Sequence, residues 1–191
     1  MRFEQPPGST PIDLDEAAGL IPGLSLQSEL NEFEADNIFR ALLWARRRRL
    51  VPTTPDSLRL LHRRMFDRTW RWAGEFRLTQ KSIGVEAFRI PSELRILCDD
   101  LAYWLANGTY PPDELLARFH HRLVYIHPFA NGNGRHARLA ADLLAVSQNW
   151  PPPTWGSADL NRTGNSREAY IAALRAADAH DLGPLVVFLR S

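Results

Sequence analysis

Apolar residues recur at helical spacing over most of the chain. Leu94, Leu97, Leu101, Trp104 and Leu105 share one face, Leu116, Phe119, Leu123 and Ile126 form a second stripe, and both predict amphipathic helices. A third face carries Ala137, Ala140, Ala141 and Leu144, where small side chains permit close packing, and a fourth carries Tyr170, Ala173, Leu174 and Ala177. Weaker periodicity predicts helices over 30–46 and 57–68. Residues 76–90, FRLTQKSIGVEAFRI, depart from this pattern: β-branched and aromatic residues around Gly84 predict a short hairpin or extended flap that Pro91 stops. Residues 1–24, rich in proline and glycine with little apolar period, read as an arm lying on the body or partly disordered, and 25–191 as a single domain. The expected fold is all-α with a short β-hairpin flap.

Composition narrows the class without changing the fold. With 191 residues and 45% hydrophobic content the chain can bury a sizeable core, to which six tryptophans and nine phenylalanines contribute. Trp70, Trp72, Trp150 and Trp155 are read as core rather than as a partner surface. A net charge of +1 gives no general attraction to nucleic acid or membrane. The run Arg46 to Arg49 suggests DNA or RNA binding, but four cations at a helix end are the ordinary solvated cap favoured by the dipole. No stretch reaches the roughly 18 apolar residues of a membrane span, and the N-terminus lacks the pattern of a secretory signal, so the expected location is cytoplasmic. Cys98, a single cysteine at the edge of an apolar stripe, excludes an internal disulfide and reads as a packed, inert thiol.

Chemistry concentrates between His127 and Arg138, in HPFANGNGRHAR. Pro128 disfavours helical dihedrals at His127, so the preceding helix ends there with the imidazole on a loop. Gly132 and Gly134 allow a tight turn whose N–H groups approach an anion, and the helix that follows favours negative charge at its start. Arg135 and Arg138, three apart, face the same ligand. The order is base, anion nest and cationic clamp, while Phe129 reads as an anchor in the core. His62, His120, His121, His136 and His180 read as structural histidines. Without an HExxH pair or a cysteine set, zinc has no ligand pattern here.

This segment resembles the signature of the Fic/Doc family: histidine, proline, phenylalanine, any residue, an acid, then glycine, asparagine, glycine or lysine, arginine, two residues and arginine. Further stretches, PPGSTPID (6–13), RRMFDRTWRWAGEFR (63–77) and AYIAALRAAD (169–178), resemble the short Fic proteins called mobile mystery protein B. The resemblance implies a protein adenylyltransferase that moves AMP from ATP to a Ser, Thr or Tyr hydroxyl of a protein target, with His127 as base and Gly132, Asn133, Gly134, Arg135 and Arg138 binding phosphate. Signature loop and helix span 127–147, and the flap beside them, with Ser82, Ile83 and Gly84, would hold the target by strand addition. The subfamily likeness further implies mobile-element residence, a toxin–antitoxin setting and a helix-turn-helix partner protein.

One signature position departs. Where the family carries an acid that holds Mg2+, this chain has Asn131. An amide lacks the charge, though its oxygen ligates hard cations, so weak or altered metal use is expected. Three outcomes stay open: a slower adenylyltransferase, a variant transferring a phosphoryl or other nucleotidyl group, and an inactive nucleotide-binding relative. The family's inhibitory helix, Ser or Thr, three residues, Glu, then Gly or Asn, is partly matched by Ser25 with Glu29 and Ser28 with Glu32, but Leu30 and Phe33 follow. Glu29 and Glu32 are the inhibitory candidates.

Overall fold

The computed structural model describes residues 13–24, 26–157 and 164–191, leaving aside the side chain of Leu14. Residues 1–12, half of the expected N-terminal arm, and Ser25 lie outside the described residues. Among the described residues eight α-helices follow one another: α1 (Leu14–Ala17), α2 (Gln27–Arg48), α3 (Pro55–Phe66), α4 (Ile90–Asn107), α5 (Pro112–Ile126), α6 (Asn133–Ser147), α7 (Asn165–Asp178) and α8 (Gly183–Arg190). The helices predicted from periodicity all form.

Their ends follow local chemistry. Pro55 and Pro112 occupy first turns, where a missing N–H costs nothing. Thr54 caps α3 by accepting from the Ser57 N–H at 3.1 Å. Pro91 likewise opens α4 rather than stopping a strand. The four arginines Arg46 to Arg49 are exposed at the end of α2, in keeping with a solvated cap.

Helices α5 and α6 form the centre. Packed against each other, they meet α4 and α8 on the α5 side and α2 and α3 on the α6 side. Ala137, Ala140, Ala141 and Ala145 of α6 are buried, and their small side chains let α3 and α5 approach closely. Cys98 is buried on α4, which pushes its thiol up to about 11 and keeps it unreactive. Trp70 and Trp155 are core residues, and Trp72 stacks on Trp70 with centroids 5.0 Å apart.

The predicted hairpin over 76–90 does not form. Phe76 makes an isolated antiparallel bridge with Phe129, the chain then runs as an irregular loop, and Ala87–Arg89 is a 3-10 turn leading into α4. The physical reason is Arg77, which is 3% exposed. Its Nε donates to the His127 carbonyl at 2.7 Å and its Nη1 to the Thr79 carbonyl at 2.9 Å, while Nη2 donates to the Val85 carbonyl. One guanidinium thus satisfies carbonyls that strand pairing would otherwise use.

Residues 13–24 lie along the same side. The Ile21 N–H donates to the Thr69 carbonyl at 2.9 Å and the Arg71 N–H to that of Gly19 at 2.8 Å. Lys81, from the flap loop, pairs with Asp13 at 2.6 Å and with Glu16 at 2.7 Å, its side chain 4% exposed.

Candidate active site

The signature loop joins the end of α5 to the start of α6. His127 caps α5 in the left-handed region, φ 53 and ψ 59, so the chain leaves the helix at the residue before Pro128. Phe129 enters the core and stacks on His62 with centroids 3.7 Å apart. His62 accepts from the Gly74 N–H at Nδ1 (3.0 Å), which leaves Nε2 to donate to the Asn131 carbonyl at 3.1 Å. His62 is therefore a brace beneath the loop, and burial lowers its pKa well below the ordinary value.

Asn133 is spent inside the loop. Its Oδ1 accepts from the Phe129 N–H at 2.9 Å and its Nδ2 donates to the Phe129 carbonyl at 2.8 Å, a reciprocal pair that closes the turn. Its side chain, 3% exposed, thus holds the loop rather than facing a ligand, and only its backbone is left for the nest proposed from sequence. Gly132 turns at φ +77, and a Cβ there would come within 2.5 Å of the Phe66 ring.

His127 is 6% exposed. Burial first, then the charge of Arg77, lowers its pKa from the ordinary 6.5 to about 4, against a hydrogen bond to the Val124 carbonyl that favours the protonated form. At neutral pH the imidazole is uncharged and able to accept a proton. Gly84 of the flap faces it closely: at φ +98, an added Cβ would come within 2.5 Å of the His127 Cβ. Ser82 and Ile83, next to it, are exposed.

The two arginines have separate surroundings. Arg135 pairs through Nη1 with Glu34 of α2 at 2.6 Å and lies over the Phe66 ring at 5.1 Å. Arg138 lies over the Tyr170 ring of α7 at 5.4 Å. The Tyr170 hydroxyl meets His120 Nε2 at 2.9 Å.

Asn131, the weak metal candidate, faces Gly132 and Arg135. Its Oδ1 accepts from the Gly132 N–H at 2.6 Å and from Arg135 Nη2 at 3.3 Å. Among the described residues no group of three or more His, Cys, Asp or Glu side chains is arranged to hold a metal ion.

The inhibitory candidates both lie on α2. Glu29 accepts from the Leu26 N–H at 3.0 Å, capping α2, and Glu32 is exposed. The carboxylate that reaches a signature arginine is Glu34, which also accepts from Trp70 Nε1 at 2.7 Å. Sequence reasoning did not single out Glu34 or Arg77, because each lies dozens of residues from the signature. A faint signal existed for Arg77, a lone cation between Phe76 and Leu78. Of the other histidines, His136 Nε2 donates to the Leu58 carbonyl at 2.9 Å, His121 pairs with Asp178 at 2.8 Å, and His180 is exposed.

Residues 52–145 match the Fic/DOC family. Over 119 residues, 61% of this chain and 23% of the relative, the sequence is 32% identical to a protein adenylyltransferase Fic of Drosophila grimshawi. The chain thus spans less than a quarter of the length of the curated relatives it matches. A solved fragment of Fic-1 from C. elegans is 28% identical, with a TM-score of 0.64 over 92% of this chain and 52% of that one. The BepC protein of Bartonella tribocorum, solved with bound AMPPNP, shares the fold at 18% identity, with a TM-score of 0.68 over 93% of this chain and 96% of that one.

Proposed function

We propose that this protein, whose residues 52–145 match the Fic/DOC family, is a protein adenylyltransferase, transferring AMP from ATP to a hydroxyl of a protein target. The observation that carries the reading is the buried, neutral His127 imidazole at the end of α5, on the loop leading into α6, whose first turns bear Arg135 and Arg138. The target hydroxyl oxygen attacks the α-phosphorus of ATP, its proton passes to His127, and the bond to the β-phosphate breaks to release pyrophosphate. Backbone N–H groups from Gly132 to Gly134 and the start of α6 stabilise the developing charge, and Arg135 and Arg138 bind the phosphates beyond the scissile bond. Exposed Ser82 and Ile83, fixed beside His127 by Gly84, dock the target.

The likeness at 6–13, 63–77 and 169–178 supports placement among the mobile mystery protein B group, with a helix-turn-helix partner, a toxin-like role on mobile elements and a cytoplasmic location. Among the described residues no helix is long and apolar enough to cross a membrane.

The test is mass spectrometry of the purified protein and candidate targets after incubation with ATP, alongside transfer of label from ATP. An AMP adduct is expected. His127→Ala should lower transfer by about 100-fold or more, with an unchanged circular dichroism spectrum. No adduct with any nucleotide would reject the reading.

A further inference from the structure

The flap and the base loop are joined through main chain and side chain alike. The Arg77 N–H donates to the Pro128 carbonyl at 3.0 Å and the Val85 N–H to the Ile126 carbonyl at 3.4 Å, so the flap leaves and returns against the two residues that flank His127. Between these crossings lies the Arg77 guanidinium. It donates through Nε to the His127 carbonyl at 2.7 Å and through Nη2 to the Val85 carbonyl. One rigid plane thus spans from the backbone of the base to the residue after Gly84.

Gly84 makes the spacing tight. A Cβ there would stand 2.5 Å from the His127 Cβ, 2.8 Å from Arg77 Nη2 and 3.2 Å from the Ile126 carbonyl oxygen, so base, guanidinium and flap backbone meet with no room for a methyl group. His127 also holds a left-handed backbone, φ 53, which a residue with a side chain keeps only where its surroundings impose it. Its N–H donates to the Leu123 carbonyl at 3.3 Å, and Arg77 holds its carbonyl. A buried cation is a costly way to satisfy carbonyls that a neighbouring strand would serve without charge. What the guanidinium adds is a fixed distance between two segments.

We propose that Arg77 is a positioning residue for the transfer: it sets the gap between the flap backbone and the His127 side chain, so that a hydroxyl docked on the flap lies within reach of the base. The inference rests on the adenylyltransferase reading. The side-chain partners of Arg77 are His127, Thr79 and Val85, which belong to the base and the flap and lie outside the segment Gly132 to Arg138 assigned above to phosphate. The group it places is therefore the acceptor, not the nucleotide.

Arg77→Lys in the whole chain separates the fork from the charge, because an ammonium keeps the charge and cannot reach both carbonyls. The measurement is made where circular dichroism shows the variant folded. On the acceptor protein that mass spectrometry identifies, kcat/KM for the acceptor should fall by about 10- to 100-fold, while ATP affinity by isothermal titration stays within about threefold of the wild-type value. Release of AMP to water, which needs no docking on the flap, should fall less than transfer to protein. Arg77→Ala should regain part of its transfer when methylguanidinium is supplied. Wild-type transfer by Arg77→Lys would overturn the proposal. So would a proportionate loss of ATP affinity and of both products, the result of a merely structural role. No adduct from the wild-type chain would instead remove the adenylyltransferase reading, and this proposal with it.

Discussion

Gly132 turns at φ +77 with its α-carbon against the Phe66 ring, where an added Cβ would stand 2.5 Å from the nearest ring atom. Two costs therefore fall on any other residue there, the left-handed backbone and the displacement of a fully packed ring. Gly132→Ala should destabilise the fold by about 2–4 kcal/mol, measured by denaturant titration, and weaken nucleotide binding together with it. An unchanged unfolding midpoint would show that Phe66 yields freely. The motif made Gly132 visible in the sequence, because consecutive residues carry it. What it could not show is the division of labour within it: Asn133 ties the loop to Phe129, and Asn131 turns toward Arg135. Those choices depend on Phe66, Glu34 and His62, which come from distant parts of the chain.

Among elements, the helices were readable because each buries a continuous stripe at its own period, as α4 does through Leu94, Leu97 and Leu101. The flap was not. Its alternation of apolar and polar residues suits a strand, yet the Arg77 side chain takes the place of a partner strand, and no periodicity announces that. Arg77→Met should release three backbone carbonyls at once, costing about 2–4 kcal/mol and raising hydrogen exchange over 78–86. Arg77→Lys should rescue little, since an ammonium lacks the planar fork that reaches His127, Thr79 and Val85 together. Hydrogen exchange unchanged in both variants would mean that the loop is held by something else.

Across the molecule, buried histidines set the response to acid. Burial lowers His120 from 6.5 to about 3, and His127 and His136 to about 4, with His62 shifted in the same direction. Above pH 6.5 both folded and unfolded chains hold these rings neutral, and their contribution to stability is complete. As pH falls below that value the unfolded chain takes up protons that the folded chain refuses, so stability drops by up to about 1.4 kcal/mol per pH unit for each ring. Asp142 works the other way, because burial raises it from 3.8 to about 6 and the folded chain binds that proton first. One such group offsets only part of four. The melting temperature should fall steadily between about pH 6.5 and pH 5, and a flat profile over that range would contradict the burial of the rings.

Lys81 carries a further consequence. Its ammonium is nearly enclosed, and both of its counter-charges, Asp13 and Glu16, come from the first described residues of the chain. A shortened version starting after Glu16 would strand that cation under the flap beside His127. The place to fuse a reporter or trim the protein is therefore upstream of Asp13, where the fastening of the flap survives.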